Sequence, residues 1–165
     1  MDNKYNQLVT TYKTVQYRSI NFIVVMGIIL AIWMLLFGQV VPAVILIIAA
    51  AASFYFKRYL YVEYEYKFDS GNVEIYKIIG KSMRKKLIEF NIKDIEILSP
   101  ESSKSLKALA NIPHKKKNLY PVTSKEKIYA AILKLNDERI KLRFVPDEKF
   151  VELCFRYNRN VVKKS

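Results

Sequence analysis

A run of 37 residues without one charged side chain, residues 20–56, constrains this chain more than anything else in it. As a single helix it would be about 55 Å long at about 1.5 Å per residue. The hydrocarbon core of a bilayer is about 30 Å thick and is crossed by about 20 residues. One steeply tilted helix fits that thickness badly, and two shorter ones fit it well. The natural break is Gly38-Gln39, where a helix-weakening glycine meets a strongly polar side chain. Pro42 follows, in a first-turn position that tolerates proline. Residues 20–37 and 40–56 are therefore expected to form a transmembrane helical hairpin. A cleaved signal sequence fits less well, because its apolar region is usually about 7 to 15 residues and ends at small residues. Here the run passes through Trp33, Met34 and Phe37 into a second apolar stretch with no such site.

Charge sets the expected orientation. Lys4, Lys13 and Arg18 precede the hairpin against Asp2, Lys57 and Arg58 follow it at once, and the loop between the spans has no charge. Cationic flanks stay on the cytoplasmic side. The expectation is a cell-membrane protein with two spans and both termini in the cytoplasm, and the single cysteine, Cys154, fits a reducing compartment. Residues 1–19 place Tyr5, Leu8, Val9, Tyr12 and Val15 at helical spacing, which predicts a cytoplasmic amphipathic lead-in helix. Within the spans, Gly27, Ala31 and the alanines at 49–52 permit close helix contact. No ionisable residue is there to build a transport path, so the hairpin reads as an anchor.

Residues 57–165 are long enough for one small domain with its own core. Of 28 Lys+Arg, 25 follow the hairpin against 14 of the 15 acidic residues, leaving this segment at +11. Its periodicity is that of strands. Leu60, Val62, Tyr64, Tyr66 and Phe68 alternate with polar neighbours, and Asp69-Ser70-Gly71-Asn72 turns the chain into a returning strand over residues 73–79. After Gly80-Lys81-Ser82, the apolar parity moves from Ile88, Phe90 and Ile92 to Ile95 and Ile97, predicting a break near Lys93-Asp94. A short helix is expected over residues 102–110, with Leu106, Leu109 and Ala110 on one side, then an exposed loop through His114 and Lys115 to Lys117. Strands return with Tyr129, Ala131, Leu133 and Leu135 on one face, a turn at Asn136-Asp137-Glu138, and Ile140, Leu142 and Phe144 inside. A last helix, residues 147–158, starts at acidic residues and carries a stripe of Phe150, Val151, Leu153, Cys154 and Tyr157.

The expected fold is thus α+β: a helical hairpin, then six or seven mostly antiparallel strands closed by one amphipathic helix. Two spans followed by YEYKFDSGNVEIYKIIG as an early hairpin and RIKLRFVPDEKFVELCFRYN as last strand and helix resemble the bacterial membrane-anchored pleckstrin-homology-like (PH-like) domains. The chain is similar in particular to a small family of two-span bacterial proteins of unknown function. The resemblance implies a PH-like barrel or sheet and a membrane location, and no defined ligand.

Catalytic chemistry finds little footing. His114 is the only histidine and sits beside three lysines; the four glycines include no phosphate-loop spacing. Cys154 lies on an apolar stripe, where a small buried core residue is the default. Glu63 and Glu65, next to Lys67, read as solvated rather than as an acid/base pair. Neither an enzyme, a cofactor nor a metal site is expected. The basic groups are the candidates: Lys57 and Arg58 after the second span, then Lys81, Arg84, Lys85 and Lys86, then Lys115, Lys116 and Lys117. On one rim they would form a contact for anionic lipid headgroups, each well-placed cation contributing about 1 kcal/mol; apart, they are solvated loops. Nucleic acid is not expected, since the clusters lack the interleaved aromatic rings of a stacking platform. The leading expectation is a non-enzymatic binding module for anionic lipid, a protein partner, or both. The alternatives are a structural subunit of a membrane assembly and, behind it, a membrane-tethered nucleic-acid binder.

Overall fold

The computed structural model of the chain describes residues 4–11, 15–108, 115–135 and 138–163. Helices α1 (Val15–Leu36) and α2 (Val40–Lys57) break where the sequence predicts. Gly38 takes φ +73°, a left-handed conformation open to glycine without a Cβ penalty, and the Gln39 N–H donates back to the Met34 carbonyl at 2.9 Å. Ala31, Ala43 and Ala50 are buried, and a Cβ on Gly27 would stand 3.9 Å from that of Ala50, so the two backbones meet through small residues. Almost everything else on the pair faces outward: the apolar windows Arg18–Leu36 and Val40–Leu60 are only 6% and 17% buried. Helices long and apolar enough to cross a membrane, with their side chains turned out, suit lipid rather than a soluble core.

The segment ahead of the spans is a strand, not the expected lead-in helix. Strand β1 (Lys4–Val9) pairs antiparallel with β2 (Val62–Asp69), Lys4 opposite Asp69 and Val9 opposite Tyr64. Tyr5, Gln7 and Val9 turn inward between exposed Lys4, Asn6 and Leu8. Helical spacing counted Leu8 as inward, but it is 53% exposed, and the buried place goes to Gln7. That amide donates to the Val145 carbonyl at 3.0 Å and accepts the Asp147 N–H at 2.9 Å, which is why a polar side chain can sit there. The soluble domain therefore does not begin at residue 57: its first sheet takes an outer strand from ahead of the hairpin. Residues 1–3 and 12–14 of the lead-in lie outside the described residues.

The first sheet runs β1-β2-β3-β4, with β3 (Asn72–Ile79) and β4 (Met83–Asn91). A one-turn 3-10 helix, Ile92–Asp94, capped reciprocally by Asn91 and Asp94, makes the predicted break. The second sheet holds β5 (Ile95–Pro100), β6 (Lys115–Asn118), β7 (Tyr129–Leu135) and β8 (Glu138–Phe144) in the order β5-β7-β8-β6. The expected loop at Lys115 to Lys117 is thus an edge strand, and it runs parallel to β8, while the other strand pairs described are antiparallel. Among the described residues the segment after the spans supplies seven strands, within the expected six or seven, and with β1 they make two four-stranded sheets that do not close into a barrel. Helix α3 (Lys104–Ala108) sets Leu106 against Ile97, Ala130 and Ile132, so β7 is buried on both faces. The predicted Leu109, Ala110, Asn136 and Asp137 positions lie outside the described residues.

Helix α4 (Glu148–Tyr157) covers the core as expected. Phe150 is fully buried and meets Tyr66, Phe68 and Phe144 edge-to-face at centroid distances of 6.0 to 6.2 Å. The Asp147 carboxylate caps α4 by accepting the Phe150 N–H at 2.8 Å, and also accepts the Tyr5 hydroxyl at 2.5 Å. That hydrogen bond to a carboxylate pushes the Tyr5 hydroxyl up to about 12 and ties β1 to the helix start. At the far end of α4, Gly71 has φ +94° and lies so near the Tyr157 ring that an added Cβ would come within 2.9 Å of it.

Candidate membrane-facing site

Helix α2 runs into a 3-10 turn, Arg58–Leu60, before β2 begins at Val62 rather than Leu60. The β3–β4 hairpin tip rests on this turn. The Gly80 N–H donates to the Tyr61 carbonyl at 2.8 Å, and a Cβ on Gly80 would lie 3.2 Å from both Cβ and the carbonyl oxygen of Arg58. Gly80 and Lys81 both take positive φ, +59° and +62°, as a tight reversal requires. This backbone contact brings Lys57, Arg58, Lys81, Arg84 and Lys85 to the end of the second span.

Their environments differ. Lys57 is buried, donates to Asn21 Oδ1 on α1 and lies 5.9 Å from the centre of the Phe54 ring, so it fastens the two helices. The Arg58 guanidinium stacks 4.0 Å from the centre of Tyr55 and 5.1 Å from that of Tyr59. Lys81 Nζ stands 5.4 Å from the centre of the Tyr61 ring. Arg84 is already neutralised, 2.7 Å from Glu65 and over the Tyr76 ring at 3.8 Å. Lys86 bridges Glu74, at 2.7 Å, and Glu89, and holds the Glu74 carboxyl below the usual carboxylate range.

Lys85 is different. In the β3–β4 register it stands opposite Lys77, after a bulge at Ile75/Tyr76 that moves β4 by one residue. Like charges directly opposite on one face destabilise a strand pair, and no carboxylate bridges either ammonium among the described residues. Lys77 was absent from the expected site. The hydrophobic alternation of β3 could have shown that it shares a face with Ile75, but not that it would meet Lys85.

The second basic group is not part of this place. Lys115, Lys116 and Lys117 lie on the edge of the other sheet, exposed, with Lys115 paired to Glu138 at 2.7 Å. His114 lies outside the described residues. Of the two strand-face carboxylates read as solvated, Glu63 is in fact buried and accepts from the Tyr61 hydroxyl at 3.0 Å, while Glu65 takes Arg84. Cys154 is buried on α4, where desolvation raises its thiol and keeps it protonated. Among the described residues no group of three His, Cys, Asp or Glu side chains could hold a metal ion. An open groove of about 750 Å³ lies at the opposite end of the first sheet, between Lys4, Lys67, Asp69 and Asn91, with both signs of charge on its walls.

No curated protein and no solved structure matches the chain. A family model does, and it spans residues 1–164, taking in β1, both apolar helices, the two sheets and α4. With that coverage and this architecture, the chain belongs to the family described as "Bacterial PH-like domain (DUF6106)".

Proposed function

We propose that this protein is a membrane-anchored, non-enzymatic binding module whose PH-like domain holds anionic lipid headgroups at the β3–β4 hairpin. The observation that carries the reading is the Lys77–Lys85 pair, two lysines directly opposite in strand register on a hairpin whose tip is pinned to Arg58. A phosphate between them turns a repulsion into two charge-assisted hydrogen bonds, and Lys81 at the turn adds a third cation. The surface potential of an anionic leaflet favours each by about 1 kcal/mol. PH-like domains are generally non-enzymatic binding modules, which agrees with this use.

Binding is testable on a soluble variant in which residues 12–57 give way to about ten Gly/Ser residues, a flexible connection reaching about 17 Å. This variant keeps β1 on the sheet. Lys81→Glu together with Lys85→Glu is expected to weaken sedimentation with phosphatidylserine-containing vesicles by at least about tenfold. Glu at position 85 faces Lys77 and so supports the strand pair, which separates lost binding from lost folding. Binding should also fall as salt rises, the screening length shrinking to about 8 Å at physiological strength. Reversal at Lys116 and Lys117 is expected to change binding less. A parent variant that ignores anionic vesicles at low salt would sink the lipid reading and leave the hairpin to an acidic protein partner.

The accompanying topology has both flanks of the hairpin in the cytoplasm. Cation placement supports the side, and the β1–β2 pairing supports a common side, because strands before and after the spans share one sheet. In a Cys154→Ser background, a cysteine at Gln39 is expected to react with an impermeant reagent added to intact cells, and one at Lys163 is not. The opposite pattern overturns the orientation.

A further inference from the structure

Val122 is 98% exposed, more than any other large apolar side chain described. It sits on a tight turn in which the Ser124 N–H donates to the Pro121 carbonyl at 2.9 Å. Both sides of this turn are held. Pro121 and Leu119 are buried, and the Leu119 carbonyl accepts the Tyr66 hydroxyl at 2.7 Å. On the other side the Thr123 hydroxyl meets that of Thr11 at 3.5 Å. Thr11 follows β1 and precedes α1 by four residues, a separation of at most about 14 Å of extended chain. The turn therefore lies at the end of the domain where the chain enters the membrane, as the β3–β4 tip lies where it leaves. That second corner carries its own exposed apolar side chain, Met83, 46% accessible.

We infer that the 121–124 turn is a membrane-seating wedge, with Val122 entering the boundary between headgroups and acyl chains. A fully exposed branched side chain on a braced turn has no fold to support, and transfer of its apolar surface from water is favourable. The occupant is the bilayer, because the turn touches the segment that leads into the first span. Lys125 and Lys127 follow the wedge and are exposed, two cations within reach of headgroup phosphates, with exposed Glu126 between them. With Met83 at the opposite corner, the domain would rest on the bilayer at two points beside its anchor, fixing its tilt and presenting the Lys77–Lys85 pair at headgroup level. The wedge deepens the lipid reading but rests on apolar contact, so its test does not depend on anionic lipid.

The full chain is reconstituted with Trp33→Phe, which removes the one native tryptophan, and with Val122→Trp. Vesicles are phosphatidylcholine brominated on its acyl chains, with and without phosphatidylserine. Tryptophan at 122 is expected to emit at shorter wavelength and to lose about half its intensity to bromine, as an interfacial ring does. Asn72→Trp, at the distal β2–β3 turn, is the reference and is expected to be unaffected. Quenching at 122 in either vesicle upholds the wedge. Emission at 122 no more quenched than at 72, in both vesicles, overturns it. Failure of the lysine site is read separately, from the charge-reversal variants, so either idea can fall alone. Because Val122 is almost wholly exposed, its replacement does not put folding at stake.

Discussion

Deleting Lys4–Val9 from the soluble variant is expected to abolish its cooperative unfolding transition. The strand pairs with Tyr64 to Asp69 along the outer edge of β2 and buries Val9. Its Gln7 satisfies the Val145 carbonyl and the Asp147 N–H, and its Tyr5 hydroxyl binds the carboxylate that caps α4. Small domains are stable by only about 5–15 kcal/mol, and removing six paired residues takes most of that. The bare edge of β2 would also template association between copies. A graded test is Gln7→Ala, which orphans one buried acceptor and one donor at about 1–3 kcal/mol each. Its expected cost is about 2–6 kcal/mol in a denaturant melt. A fragment starting at residue 58 that melts cooperatively at the parent's midpoint would show that β1 is only an accessory to the sheet.

Phe150→Ala is the next largest effect expected. The ring is fully buried among Tyr66, Phe68 and Phe144, and its loss leaves a cavity that two sheets and a helix cannot all close. Buried phenylalanines truncated in this way cost about 3–5 kcal/mol. Lys149, one residue earlier, is exposed with its ammonium 4.5 Å from the centre of the Tyr5 ring. Lys149→Ala is therefore expected to cost less than about 1 kcal/mol, the worth of an exposed cation–π contact. Equal, small losses at both positions would mean that α4 is not docked on the core.

What could be read in advance follows from the range of each interaction. The spans, their break at Gly38-Gln39, the strands after Val62 and the stripe of α4 all rest on local patterns. An uncharged stretch, a glycine, alternation of Tyr64, Tyr66 and Phe68, and the run from Phe150 to Cys154 are each visible within a window of one element. They were legible because burial against any apolar surface imposes the same period.

Lys4–Val9 carries no local sign of a strand, because its partner is more than fifty residues away and its central inward side chain is polar. Only the approach of the Val145–Asp147 backbone makes Gln7 a buried residue and the segment a strand. The same holds for the basic site. Composition alone makes cations dense in the segment after the spans. It could not say that Glu65, Glu74, Glu89 and Glu138 neutralise Arg84, Lys86 and Lys115, or that a one-residue bulge would set Lys77 against Lys85. Charge composition is a property of the chain; which charges remain uncompensated depends on cross-strand register and through-space distance, and those arise when segments far apart in the chain pack together.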